Sequence, residues 1–214
     1  MAERYVPAAG RAWLTRAYDP VLARTMREPR WRGAVARAAG AGTVVEVGAG
    51  TGAQALELAA HGARVVAVDG DPVALAIARR KAGAAGVDWR VGLAASLPVE
   101  TASADAVVMA LLLHHLNAAG KAAALAEAAR VLRPGGRLCV ADWGPPRGIV
   151  PGLGARVLRV VDGAEGVAAH LDGGLPGLLV RAGFGAPAPA GRVATVWGTL
   201  ELLVAGGETA ATIA

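Results

Sequence analysis

The chain has 214 residues, 54% of them hydrophobic, and 22 basic against 17 acidic side chains give it a formal charge of +5 at pH 7. That length suits one α/β domain with a sizeable core, and the apolar fraction excludes a disordered chain. No apolar run reaches the ~18 residues needed to span a bilayer, the start MAERYVPAAGRAW lacks the apolar core of a signal peptide, and the single Cys139 can make no internal disulfide, so a cytoplasmic protein without a membrane span is expected.

The charge is uneven. Residues 1–37 carry eight arginines against Glu3, Asp19 and Glu28, and the remainder is balanced. Residues 10–39 have helical periodicity, with Trp13, Leu14, Tyr18, Val21, Leu22 and Met26 near one face, and Pro20 and Pro29 divide them into two or three short helices. From residue 43 the period changes. TVVEV is a buried-type strand, AQALELAAH a helix stopped by Gly62, and ARVVAVD a second strand. Asp71 and Pro72 make an N-cap and first helical residue. VDWRVG and ADAVVMA follow as strands, Asn117 caps AAGKAAALAEAARVL, PGG ends it, and RLCVADW is the fifth strand. Strand and helix alternate five times, which requires a parallel sheet with helices on both faces.

After residue 144 the rhythm breaks. GPPRGIVPGLG is rich in loop signals, and GLPGLLVRAGFG holds one short helix. GRVATVWG and TLELLVAGG are β-like runs too close for a crossover, so they pair as an antiparallel hairpin. The expected organisation is an N-terminal helical arm over 1–40, an α/β domain over 41–206, and a tail over 207–214 with no packing pattern, a candidate for disorder. The expected fold is doubly wound and Rossmann-like, with a seven-stranded sheet ending in that hairpin.

The turn after the first strand, VVEVGAGTGAQAL, satisfies two glycine rules. Gly48, Gly50 and Ala53 fit G-x-G-x-x-A, the mark of a dinucleotide site, while Gly48, Gly50 and Gly52 fit G-x-G-x-G. Glu46 separates them. A carboxylate two residues before the first glycine repels a pyrophosphate. It suits a cofactor with a cationic centre and an ammonium group, and S-adenosylmethionine (SAM) has both, plus a carboxylate for the helix N-terminus. Asp69 lies 21 residues after Gly48, at the second strand's end, where an acid binds ribose hydroxyls in either cofactor class.

Four stretches in order resemble the class I SAM-dependent methyltransferases of the small-molecule type: VVEVGAGTG, VVAVDGDP, VGLAASLPV, and DAVVMALLLHHL with VLRPGGRLCVADW. The resemblance covers residues 43–143, and the hairpin at 186–205 fits the family too. It implies SAM as cofactor and S-adenosylhomocysteine as product. It places Gly48, Ala49, Gly50, Thr51 and Gly52 on the methionine end, Asp69 and Gly70 on the ribose, Leu93 and Ala94 on the adenine, Ala110 at the fourth strand's end, and Tyr18 of the arm over the cofactor. The family often has an acid in the adenine loop. Leu93 stands there instead, which leaves backbone at Ala94 and apolar contact to hold the ring, with Ser96 a weaker acceptor.

His114 and His115 follow the fourth strand, at the sheet edge where open α/β folds bind ligands. Either is a candidate general base or a wall of the acceptor pocket; helix-start histidines also cap or pack. Neighbouring histidines on a helix diverge, so no metal is expected. Asp142 and Trp143 are candidate pocket walls, and Cys139 is core. The arginine-rich arm could attract an anionic partner or form a solvated face. The absence of an N/D-P-P-Y/F motif, of a Pro-Cys dipeptide and of a target-recognition domain argues against nucleic acid. The expected function is methyl transfer to a small, apolar or aromatic acceptor, with the arm (Tyr5, Trp13, Tyr18, Trp31) as a lid. The rivals are a non-catalytic SAM-binding regulator and, more remotely, a dinucleotide-dependent oxidoreductase; the oligomeric state is left open.

Overall fold

The computed structural model describes Met26 and residues 28–81, 83–161 and 164–206. In chain order the elements are helix α1 (Glu28–Ala39), strand β1 (Thr43–Val47), α2 (Ala53–Ala60), β2 (Arg64–Asp69), α3 (Pro72–Ala78), β3 (Val87–Val91), β4 (Ala104–Ala110), α4 (Ala118–Val131), β5 (Leu132–Gly144), α5 (Ile149–Val161), α6 (Ala164–Leu171), α7 (Leu175–Arg181), β6 (Ala188–Ala194) and β7 (Thr199–Gly206). Short 3-10 turns precede β3 (Ala84–Gly86) and follow β4 (Leu113–His115).

The strands form one seven-stranded sheet in the order β3-β2-β1-β4-β5-β7-β6. The first five are parallel, and β7 runs antiparallel to both β5 and β6. Alternation along each strand sends side chains to two separate cores. Val44, Ala67, Val108 and Cys139 meet α1 and α2 on one face. Val45, Val47, Val107 and Met109 meet α4 and α7 on the other. Burying each of the valines and the methionine contributes about 1.5–3 kcal/mol, and burial on both faces is why these strands read as continuous hydrophobic runs.

The expected caps are in place. Asp71 Oδ1 accepts the Val73 N–H at 2.8 Å, ahead of Pro72 in α3. Asn117 Oδ1 accepts the Gly120 N–H at 2.8 Å at the start of α4. Gly62, at φ +86°, follows the end of α2. Pro29 sits in the first turn of α1 and starts that helix instead of breaking it, because the first-turn N–H groups need no intrahelical acceptor.

The segment after Gly144 departs from expectation. Its loop signals enclose two helices, α5 and α6. Pro151 falls in the first turn of α5, where it is tolerated, and Gly154 lies where α5 crosses the β6–β7 turn. A Cβ on Gly154 would lie 2.6 Å from the Trp197 Cα, so the glycine is required by packing and not by a loop. Among the described residues no helix is long and apolar enough to cross a membrane. Tyr5, Trp13 and Tyr18, and the tail from residue 207, lie outside the described residues. Trp31 of the arm is buried against the sheet.

Candidate active site

The strand order reverses between β1 and β4, and ligands bind outside the carboxyl ends of strands at such a switch point. The glycine turn leaves β1 there. The Gly48 and Ala49 N–H groups donate to Val68 O at 2.8 and 3.0 Å, which fixes the turn against β2. The three glycines serve different ends. Gly50, at φ +52°, has open space where a Cβ would be, so the backbone is bare to a ligand. A Cβ on Gly48 would lie 2.8 Å from the Leu112 side chain. At Gly52, φ +82°, it would run into the Trp89 ring and lie 2.9 Å from Ala78 Cβ, so this glycine lets α2 close on its neighbours. No side chain caps α2, which leaves its first N–H groups to an anion.

Asp69 ties this turn to β2. Its carboxylate accepts the Gly50 N–H at 2.6 Å and the Asp71 N–H at 2.8 Å. Burial raises its pKa against those two donors. Thr51 Oγ1 accepts from Lys81 Nζ at 3.2 Å. On the β3 side, Leu93 is 40% exposed although large and apolar, and the Ser96 N–H donates to its carbonyl at 3.0 Å. Gly70 and Ala94 are half-buried nearby in the chain.

Glu46 is 2% exposed in the middle of β1, and its Oε2 has no hydrogen-bond partner. Burial pushes its pKa up from 4.5 to about 8; the Arg32 guanidinium opposes this and Asp69 reinforces it. A buried carboxyl with an orphaned oxygen beside a bare glycine turn is matched to a ligand cation. The residues present therefore fit a cofactor with an ammonium or sulfonium group.

Across the switch point, Ala110 ends β4. Leu111 has φ +55°, strained for a non-glycine residue, and its N–H donates to Ala141 O at 2.8 Å. The turn that follows brings His114 to β5. Asp142 is fully buried and accepts from His114 Nδ1 at 2.6 Å, from the His114 backbone N–H at 3.2 Å and from the Trp143 N–H at 2.7 Å. His170 Nδ1 of α6 lies 3.7 Å from the same carboxylate. Burial would raise the Asp142 pKa, but the histidines overcome it and hold the group far below the usual carboxylate range. His114 is itself buried, with the His115 ring 3.9 Å away and the Trp143 ring edge-on at 6.2 Å. His115 stays exposed at the rim, and the packed protein on one side and the His114 imidazole lower its basicity. Among the described residues no cluster could hold a metal ion.

The structure therefore brings Glu46, the glycine turn, Asp69, Ala110, His114 and Asp142 to one edge. The sequence singled out Asp142 only as a wall and passed over His170, which carries no local signal because α6 was not legible. The chain matches the family described as "Methyltransferase domain" over residues 45–140, the span that holds β1, the glycine turn, Asp69 and the two histidines. That span is a methyltransferase domain of the class I SAM-dependent kind. The demethylmenaquinone methyltransferase of Tropheryma whipplei (strain Twist) is 36% identical over 154 residues, 69% of this chain and 63% of that protein. The enzyme of the same name from Thermus thermophilus is 44% identical over 107 residues, 48% of each chain. The chain thus spans less than two thirds of these relatives. Human N-acetylserotonin methyltransferase, solved in complex with SAM, superposes with a TM-score of 0.64 at 18% identity, over 92% of this chain and 56% of that one, a likeness of fold.

Proposed function

We propose that this protein moves the methyl group of SAM to a small aromatic acceptor that bears a hydroxyl group, and that His114, oriented by Asp142, takes the hydroxyl proton. The observation that carries the reading is the 2.6 Å bond between His114 Nδ1 and the buried Asp142 carboxylate at the ligand edge of β4 and β5. A carboxylate can only accept, so Nδ1 carries the proton and Nε2 is the basic nitrogen of the ring. The named activity of the relatives, on demethylmenaquinone, fits an acceptor of this ring chemistry.

Each assigned residue has a task. Glu46 would meet the ammonium group of the cofactor, the uncapped N-terminus of α2 would receive its carboxylate beside the bare Gly50, Asp69 would hold the ribose, and Leu93 and Ala94 would bracket the adenine. The bound cofactor supplies a methyl group on a sulfonium that departs as a neutral thioether. His114 would remove the acceptor O–H proton, and the electron pair freed at oxygen or at a ring carbon would form the new bond to the methyl carbon; where the ring carbon attacks, its own proton leaves to solvent as the oxygen regains one from His114. Asp142 stabilises the imidazolium that results. His115, neutral at pH 7 through its lowered basicity, lines the acceptor side. Of the arm over 1–40, the part before α1, with Tyr18, is the proposed lid that excludes water, since α1 itself is packed into the core. The free, buried Cys139 suits the reducing cytoplasm.

Turnover of radiolabelled SAM with a naphthohydroquinone, compared with unsubstituted naphthalene, tests this. Methyl incorporation into the hydroquinone alone, lost in His114→Gln, is expected. SAM binding with no turnover on any hydroxylated ring would replace the reading with a SAM-binding regulator.

A further inference from the structure

On the α4–α7 face of the sheet, a cleft of about 750 Å³ opens between α4, α6 and α7. That size lies within the range of small-molecule sites, roughly 300–1,000 Å³. Its apolar surface comes from Leu116, Leu125 and Leu178 with several alanines, and its polar surface from Asn117, Lys121, His170 and Arg181. No acidic side chain lines it, and none of Glu46, the glycine turn or Asp69 reaches it. We propose that this cleft binds an amphipathic carboxylate, an apolar body of about eight to ten carbons with one anionic head, at a site separate from the cofactor cradle.

Three features select that chemistry. First, the cations stand on opposite helices, Lys121 in the first turn of α4 and Arg181 in the last turn of α7, with the leucines between them. An extended anion can therefore reach charge at the rim while its body displaces water from leucine. Second, Arg181 is exposed and, among the described residues, has no ion-pair or hydrogen-bond partner, and a guanidinium fork matches a carboxylate in two parallel bonds. Third, two nitrogen-bearing side chains stand at the inner end of the cleft. Lys121 is 7% exposed, and burial lowers its pKa although Asp142 attracts it. His170 is 1% exposed, with no hydrogen-bond partner at either ring nitrogen. The nearby carboxylate, Asp142, is already engaged by His114 and two backbone N–H groups. An anion in the cleft would be attracted by both Lys121 and Arg181; a neutral alcohol would not, and a cation would be repelled.

The test is calorimetry on the full chain with octanoate, octan-1-ol and octylamine, with and without saturating SAM. Saturable octanoate binding at one site per chain is expected, about tenfold or more tighter than octanol, the equivalent of about 1.4 kcal/mol, and unaffected by SAM. The surface change Arg181→Glu should weaken octanoate at least tenfold and strengthen octylamine. Leu178→Trp should fill the cleft and remove octanoate binding while SAM affinity stays within about twofold of the parent, an interval inside ~0.4 kcal/mol. Absence of saturable octanoate binding, displacement of octanoate by SAM, or an Arg181→Glu protein that binds octanoate unchanged would each overturn the proposal. None of these readouts depends on methyl transfer, so they stand apart from the test of the catalytic reading.

Discussion

Glu46→Gln should stabilise the cofactor-free protein while weakening SAM binding. The Glu46 carboxyl is fully buried, one oxygen lacks a partner, and its folded pKa stands near 8 against 4.5 when free. Because the folded value lies above the unfolded one, folding takes up a proton between these limits. Stability is fully present below pH 4.5 and is lost as pH rises towards 8, at about 1.4 kcal/mol per pH unit. From pH 4.5 to 7 the accumulated loss is about 3 kcal/mol, and glutamine, of the same shape and never charged, escapes it. Urea unfolding of both proteins at pH 5, 6, 7 and 8 should show a gap that widens with pH in favour of the glutamine variant. Calorimetry in buffers of different ionisation enthalpy near pH 6.5 should show a proton released when the parent binds SAM, as the carboxyl ionises against the ammonium, and none from the variant. A stability gap that does not change with pH would refute the argument, since the carboxyl would then titrate as it does in the unfolded chain.

Asp142→Asn should lower kcat by roughly 10²–10⁴, the usual weight of a positioned acid–base group, and cost about 2–3 kcal/mol of stability near neutral pH through the lost charged hydrogen bonds, read by turnover and urea unfolding. Its folded pKa is depressed, so the parent's extra stability is present above the ordinary carboxylate value and fades as pH falls; the asparagine protein should lack that acid-side loss. Gly52→Ala should cost about 2–4 kcal/mol by overpacking and positive-φ strain, and less in a Trp89→Phe background, where the ring atoms it strikes are gone; equal costs in both backgrounds would show that Trp89 is not the obstacle. Asp69→Asn should weaken SAM by about 1–3 kcal/mol in calorimetry, the range of a hydrogen bond to a charged group, with the fold intact by circular dichroism.

The five-strand alternation, the terminal hairpin, the caps at Asp71 and Asn117 and the cofactor turn were all legible in the chain alone. Those features are encoded locally: apolar period, turn chemistry, and Glu46 two residues ahead of Gly48. The loop reading past Gly144 failed for a physical reason. The glycines and prolines of α5 have the composition of a loop, and only the close crossing of Gly154 over the Val196–Trp197 backbone shows that one of them is a packing requirement of a helix. Pairings at a distance were equally hidden. His114 and Asp142 are 28 residues apart, at the ends of neighbouring parallel strands, and nothing local to either residue announces a 2.6 Å bond. The sheet register decides it, because β4 and β5 pair Ala110 with Ala141 and so deliver both groups to the same edge. The division of labour among the glycines was hidden too. Gly50 and Gly52 read alike in sequence, yet one faces open space and the other faces Trp89 of β3, a neighbour that only the closed sheet supplies.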